Sequence, residues 1–446
     1  MSLPAAQFFV GLDWAADSHA VCVIDTEGRP LARFSVEHSA DGIALLIRRL
    51  AKFGDPLDLP VGIERPDGRL VDLLLEAGHP VVPVSPNAIK TWREGEVLSG
   101  AKSDAADAAV IAEYLRLRQH RLTAATPYSG ETKAVRTVVR TRDDLVAMRV
   151  AAVNQLAGLL DAHWPGAKAI FADLESPIAL AFLTRYPTPT SAMHLGEKRM
   201  QAFCVKHGYS GRRAAGPRLR SAPAGTTDSD LVEAVRNAVL ALVAVLRTLG
   251  EVRKDLDRSV TAHLGEHPDA AIFTSLPRSG QINAAQVLAE WGDSRQAYDS
   301  PDAVAALAGL TPVTKASGKY HAVHFRWACN KRFRKAMVTF ADNSRHESPW
   351  AADVYRRAIQ RGHDHPQHRT GPGARLGARH LPMLAQPGAL RPGPARQRES
   401  GGPGESHPRA PTERSVTVSR HSALLIAARR TCGPISSART ARVLDR

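Results

Sequence analysis

The sequence predicts a mixed α/β sheet, followed by a long helical coiled-coil hairpin and a small, mainly α domain. Three observations predict this. Residues 7–37 read as three successive strands, and residues 40–117 then alternate helix with strand. Residues 131–163 and 228–264 hold helical apolar spacing without a single proline.

The elements follow in order. Residues 7–14 (QFFVGLDW) are apolar enough for a buried strand, and 18–25 (SHAVCVID) make a second. Thr26-Glu27-Gly28-Arg29 is a turn signal, so 30–37 completes a β-meander. Ile43, Leu46, Ile47 and Leu50 mark a helix over 40–53. A short strand over 59–63 ends at Glu64, a helix over 69–77 closes on Gly78, and 80–84 is another strand. A helix over 103–117 starts at Ser103 or Asp104.

The two long helical stretches favour an antiparallel hairpin. An ordinary bundle within one domain and a dimerising arm are both compatible with it. Between them, 165–225 is rich in Pro, Gly and Arg and reads as irregular. The domain expectation is therefore 1–125, then 126–267 with that irregular insert, then 268–361, then a tail over 362–446.

The chain has 446 residues, 43% of them hydrophobic, which suffices for two or three cores. Its longest apolar runs look too short for a bilayer, and the start has no leader pattern, so no membrane is expected. Cys22, Cys204, Cys329 and Cys432 lie far apart, without metal-ligand spacing, and read as reduced cytoplasmic thiols. The net charge of +15 suggests a polyanionic partner. The tail beyond Arg361 carries +9 of it, from 14 Arg against 5 acids, with 10 Gly, 10 Pro and no aromatic residue. Such a segment buries too little surface to offset its ordering entropy. Its composition fits out-of-frame translation of GC-rich DNA better than a nucleic-acid-binding arm.

Four acids carry the chemistry. Asp13 and Glu64 each end an apolar strand, where a charge is costly unless paired or bound to metal. Asp104 and Asp107, spaced i, i+3, share one face of the first turn of a helix. Each of the pair alone reads as an N-terminal residue favoured by the helix dipole. As a set they suit Mg2+, a hard cation bound by a few carboxylates and water. Two such ions about 4 Å apart activate a nucleophile and stabilise a leaving oxygen in phosphodiester cleavage.

The segments VGLDWAADSHAVCVID, VGIERP and AKSDAADAAVIAEYL resemble, in order and spacing, the DEDD-type insertion-sequence transposases. That resemblance covers most of residues 7–361. It implies an RNase H-like (RuvC-like) catalytic domain in which Asp13, Glu64, Asp104 and Asp107 bind two Mg2+ ions. Members act on DNA as bridge-RNA-guided recombinases, which implies a structured guide RNA and a homo-oligomer, dimer or tetramer. Lys102 matches the family's usual basic residue ahead of the acidic pair, a contact for phosphate.

Residues 273–291 (FTSLPRSGQINAAQVLAEW) read as helix, tight turn, helix, with Gly280 opening the second helix, where backbone N–H groups hold phosphate. The family has a helix-hairpin-helix here, altered in this chain by Arg278 and Ser279. Further on, Ser317-Gly318 reads as a loop between Lys315 and Lys319, ahead of Arg326, Lys331, Arg332, Arg334 and Lys335. Cations interleaved with Tyr320, Phe325 and Trp327 suit a nucleic-acid backbone and exposed bases. The resemblance assigns Ser317 as the nucleophile that becomes linked to DNA, with Ser279 a rival. Family members continue past the RGHDHP segment into a further helix, which the tail here replaces, so impaired activity is expected.

Three other readings compete. A RuvC-like structure-selective nuclease shares the core but has no need of the Ser317 region. An inactive remnant would keep nucleic-acid affinity alone. An actin-like kinase opens with a similar meander, but needs glycine-rich phosphate loops absent here, and leaves Asp104 and Asp107 unexplained.

Overall fold

Strand β1 (Phe8–Trp14) is apolar on both faces because it becomes the centre of a five-stranded sheet. It pairs antiparallel with β2 (Ser18–Asp25), and β2 with β3 (Pro30–Glu37). On its other edge it pairs parallel with β4 (Val61–Ile63), which pairs parallel with β5 (Val81–Pro83). The order β3-β2-β1-β4-β5 is the mixed sheet that the meander and the helix–strand alternation predict. This computed structural model describes residues 6–96, 103–293, 298, 300–318 and 320–360. Lys102, Lys319 and the tail over 362–446 lie outside the described residues.

Helices cover both faces of the sheet. Val10, Leu12, Val61 and Ile63 bury against α1 (Ala40–Leu50) and α2 (Arg69–Glu76) through Leu46, Leu50, Leu70 and Leu74. Phe9, Cys22 and Val82 face the other way, onto α4 (Asp104–Arg118). An unforeseen helix, α3 (Pro86–Glu96), sets Trp92 edge-on to Tyr114 of α4 at 5.8 Å. Pro86 opens it, at a position where helices tolerate proline.

Helices α5 (Gly130–His163) and α10 (Ser229–Glu266) run antiparallel. Val135 and Val139 share a core with Val260 and Leu264, while Leu156 and Leu160 meet Val235, Val239 and Val243. Arg142 Nε donates to Asp257 Oδ1 at 2.5 Å between them. Among the described residues α5 is long and apolar enough to cross a membrane by length and composition, contrary to the expectation that no run is. Its Arg140, Arg142 and Asp143 are nevertheless engaged with residues of neighbouring helices, as in a packed bundle.

The stretch between them is not irregular. Four helices occupy it, α6 (Pro165–Ile170), α7 (Pro177–Arg185), α8 (Glu197–Lys206) and α9 (Arg212–Ser221). Pro165 and Pro177 sit in first turns, where the missing N–H costs nothing. An aromatic cluster holds them together, with Trp164 stacked 5.7 Å from Phe182, and Phe171 and Phe203 edge-on to Phe182. Reading Pro, Gly and Arg as breakers overlooked these aromatic residues.

The remaining elements are α11 (Ala270–Thr274), α12 (Gly280–Trp291), α13 (Pro301–Leu307), a hairpin of β6 (Val313–Ser317) and β7 (Tyr320–His324), α14 (Lys331–Ser344) and α15 (Pro349–Gln360). Phe273, Leu288, Trp291, Phe333 and Phe340 form their core, continuous with Val135 of α5 and Leu264 of α10.

Candidate functional site

Asp13 and Glu64 are brought side by side by strand register. The parallel pairing of β1 with β4 runs Val10 to Val61, Gly11 to Gly62 and Leu12 to Ile63. One step further places Asp13 opposite Glu64, on strands about 4.8 Å apart. Residues two apart share a face, so both acids project on the side of Gly11 and Gly62.

That side is the one α4 covers. A Cβ on Gly11 would stand 1.9 Å from the Ala108 carbonyl oxygen, and one on Gly62 would stand 2.9 Å from Ile111 Cγ2. The helix direction follows from its far end. Arg116 donates to Thr26 O at 3.0 Å in the β2–β3 turn, beside the start of β1, where Phe8 pairs with Asp25. The helix start, with Asp104 and Asp107, therefore lies toward the Asp13 and Glu64 end. Ser103 caps it by accepting from Ala106 N at 3.3 Å. All four predicted acids thus collect at one edge and one face of the sheet.

Other side chains order this edge. Arg93 of α3 donates to Asp107 Oδ1 at 2.5 Å. The Arg65 guanidinium lies 4.4 Å over the Trp14 ring. His19 and His38 share a ring-nitrogen hydrogen bond of 2.8 Å below Trp14. Burial, then the charge of His38, lowers the His19 pKa, which favours a neutral His19 ring. Hard carboxylate oxygens at one edge suit a hard divalent cation in donor chemistry. Among the described residues no three potential ligands stand within ligating range, so the shell is not preformed.

Ser317 is not in a loop. It ends β6 and pairs with Tyr320 across the hairpin turn at Gly318 (φ 54°). Lys315, Ser317, Tyr320 and Lys331 are exposed, and Trp327 is 74% exposed with its ring 5.0 Å from Phe325. The hairpin packs chiefly on itself, and no substantial contact among the described residues joins it to β1, β4 or α4.

Not every predicted cation faces outward. Arg334 is buried, lies 4.1 Å over the Phe325 ring and donates to the Arg326 carbonyl, so it braces the hairpin base. Arg326 donates to Thr311 O at 3.1 Å, and Arg332 is held by Asp144 at 2.8 Å. Helical spacing turns Arg334 inward beside Phe333 and Met337, which a linear count of cations cannot register.

The turn before α12 bends through positive φ at Arg278 (55°) and Gly280 (63°). Open space surrounds Gly280, but the Arg278 N–H donates to Glu347 Oε2 at 3.0 Å, so a carboxylate already accepts from this turn. Ser279 is buried, and its Oγ has no partner among the described residues, which removes it as an accessible nucleophile in this arrangement.

Gly11, Gly62, Trp14, Arg65 and Arg93 escaped sequence reading. The signal was present in part, since each strand-end acid has a glycine two positions before it, in VGLDW and VGIER. Gly11 admits the α4 backbone, and Gly62 admits the Ile111 and Leu115 side chains of the same helix.

Comparison with known proteins gives the family. A transposase family of the DEDD IS110 type matches residues 10–165, and the family described as "Transposase IS116/IS110/IS902 family" matches 270–356. A mini-circle protein of IS117 from Streptomyces coelicolor, named as a transposase, is 32% identical over 369 residues, covering 80% of this chain and 89% of that one. The 43.6 kDa protein of insertion element IS110 from the same species is 27% identical over 382 residues, with the same coverage. The 42 kDa protein of IS900 from Mycobacterium paratuberculosis is 28% identical over 328 residues, covering 71% and 79%. Family matches over residues 10–165 and 270–356, together with a relative 32% identical over 80% of the chain, make this protein a member of the IS110-type transposase family.

Proposed function

We propose that the protein cleaves and rejoins DNA as a Mg2+-dependent, site-specific recombinase guided by a structured RNA. The observation that carries the reading is the register that sets Asp13 beside Glu64 under the start of α4. Asp13, Glu64, Asp104 and Asp107 would hold the metal, which supplies charge for a developing nucleophile and a leaving oxygen. Arg93 now holds Asp107, so that carboxylate would exchange partners as the shell closes.

Ser317 Oγ would form the new bond to phosphorus while the strand's own oxygen leaves, giving a covalent protein–DNA ester that the incoming strand later resolves. Its place on an exposed hairpin, apart from the acids, supports assembly of the two parts across an interface between copies, in a dimer or tetramer. Lys315, Lys319, Lys331 and Trp327 would track the DNA or RNA strand, and Gly280 and Lys102 would lie near phosphate. In this reading 1–125, 126–267 and 268–361 act as catalytic, spacing and nucleophile-bearing parts, in the cytoplasm, and the altered tail impairs activity.

The experiment is incubation with the element's own end DNA, Mg2+ and transcribed flanking RNA, scored for strand exchange and covalent adduct. Ser317→Ala abolishes the adduct, and Asp13→Asn abolishes both products. An adduct that survives Ser317→Ala removes Ser317 from the mechanism. The Arg93–Asp107 bond favours a second reading, a binding remnant without chemistry. In that case duplex binding persists and no Mg2+-dependent cleavage is seen. A junction nuclease would cut four-way junctions with Ser317→Ala as well as before.

A further inference from the structure

A cavity of about 630 Å3 opens beside the acid edge, starting two residues after Glu64. Pro66, Asp67 and Asp72 line one side, Tyr128 and Arg136 another, and Trp291 and Tyr298 close it. Its volume lies in the usual range for sites that hold a nucleotide-sized ligand.

Two lining residues carry buried donors without partners among the described residues, Arg136 Nη1 and Trp291 Nε1. Buried donors are rarely left unsatisfied, so a pair of them on one cavity indicates an acceptor from outside the chain. Arg136 is placed by an aromatic ring. Its guanidinium lies 4.6 Å over the Tyr128 ring, and that ring packs against Gly292, where a Cβ would stand 2.3 Å from Tyr128 Cε1. The ring sets the guanidinium in place, and Nη1 has no partner among the described residues. Tyr298 adds a third donor, since burial, then the neighbouring Tyr128, pushes its hydroxyl up to about 12 and keeps it protonated.

The other charges argue against a phosphate. Lys133 is bonded to Asp72 at 2.7 Å and Arg140 to Glu290 at 2.9 Å. Asp67 and Asp72 would face a phosphodiester with like charge. Fixed donors opposite carboxylate acceptors instead match the mixed edge of a neutral base, with a guanidinium reading its carbonyl oxygens.

We propose that this cavity receives one unpaired base of the bound nucleic acid, its carbonyl edge held by Arg136 and Trp291. The proposal rests on the reading of the chain as a DNA-acting enzyme and adds a base-reading pocket next to the acids.

The test uses the full chain with single-stranded DNA and, separately, RNA containing 5-iodouracil, irradiated and digested with trypsin. The expected adduct lies in the peptide 122–133, which holds Tyr128. Whichever probe gives it, DNA or RNA, names the source of the base. Arg136→Ala lowers that adduct about ten-fold, the scale of losing one well-held base contact. Its duplex affinity in gel shift stays within about two-fold and its thermal midpoint is retained. Arg136→Lys keeps the charge but loses the planar fork, and is expected to stay low; full recovery with Lys would overturn base reading. Adducts confined to the β6–β7 hairpin, or an unchanged yield in Arg136→Ala, would also overturn it. Cleavage of end DNA is scored on the same preparation. Cleavage without the 122–133 adduct refutes the pocket alone, and the adduct without cleavage refutes the recombinase reading alone.

Discussion

The Arg65 guanidinium stands 4.4 Å over the ring of Trp14. Trp14 directly follows Asp13, and Arg65 directly follows Glu64. The contact therefore clips together the two chain segments that leave the sheet just beyond its paired acids. Backbone pairing ends at Leu12 and Ile63, so this side-chain contact holds register where the β1–β4 ladder stops.

Arg65→Ala tests the clip. An exposed cation over a half-buried ring contributes about 0.5–1 kcal/mol, so the thermal midpoint falls by only a few degrees. Strand cleavage is expected to fall about ten-fold, because small misplacements of reacting groups are costly. A loss of cleavage no larger than the loss of folded protein would show that the clip does nothing for the acids.

Gly11→Ala tests the approach of α4. The new Cβ would meet the Ala108 carbonyl at 1.9 Å and Ala112 N at 2.5 Å, both backbone atoms that cannot rotate away. We expect a loss of about 1–3 kcal/mol or more in urea unfolding, with cleavage abolished as α4 is pushed off the sheet. Gly158→Ala, in a site with no neighbour within 4 Å, is the control and is expected to be neutral or stabilising.

Glu290 gives a pH dependence of stability. Burial alone would raise its carboxyl pKa, but hydrogen bonds from Arg140 and Asn330, with the Arg140 charge, outweigh burial and hold it below the ordinary 4.5. The unfolded chain thus binds the proton more readily than the folded one. The contribution is complete above about pH 4.5 and disappears as pH falls through the lowered folded value. Glu290→Gln leaves Arg140 unpaired and costs about 3–5 kcal/mol at neutral pH. Thermal melts between neutral pH and pH 3 are expected to show a shallower acid slope in the variant than in the parent.

Trp327 and Arg334, close in sequence, are expected to behave oppositely. Trp327→Ala removes an exposed ring, lowering single-strand affinity about ten-fold while the melting curve stays put. Arg334→Ala removes a buried guanidinium that braces Phe325 and the Arg326 carbonyl, so its first effect is on stability, about 2 kcal/mol. Gel shifts paired with melts separate the two. Equal loss of affinity at equal stability would return Arg334 to the binding surface.

The sheet was legible in the order of the sequence because period-two apolar patterning and the Glu27-Gly28 turn are local signals. The same holds for α5 and α10, whose apolar spacing persists over many turns without proline. The insert helices α6 to α9 were hidden because proline and glycine look like breakers from within a short window. Trp164, Phe171, Phe182 and Phe203 show what holds them only once they meet. The hairpin was read as a loop because its strands are exposed and lack a buried face.

By itself the sequence determined which residues are chemically able to act, four acids, a serine and a run of cations with aromatic rings. Side-chain type and strand periodicity are properties of neighbouring residues, and they survive in one dimension. Tertiary structure alone decided that Asp13 stands opposite Glu64, that α4 points its acidic start at them, and that Arg334 turns inward. Each depends on register, helix direction or burial between segments tens of residues apart, and contacts between distant segments exist only after the chain has packed.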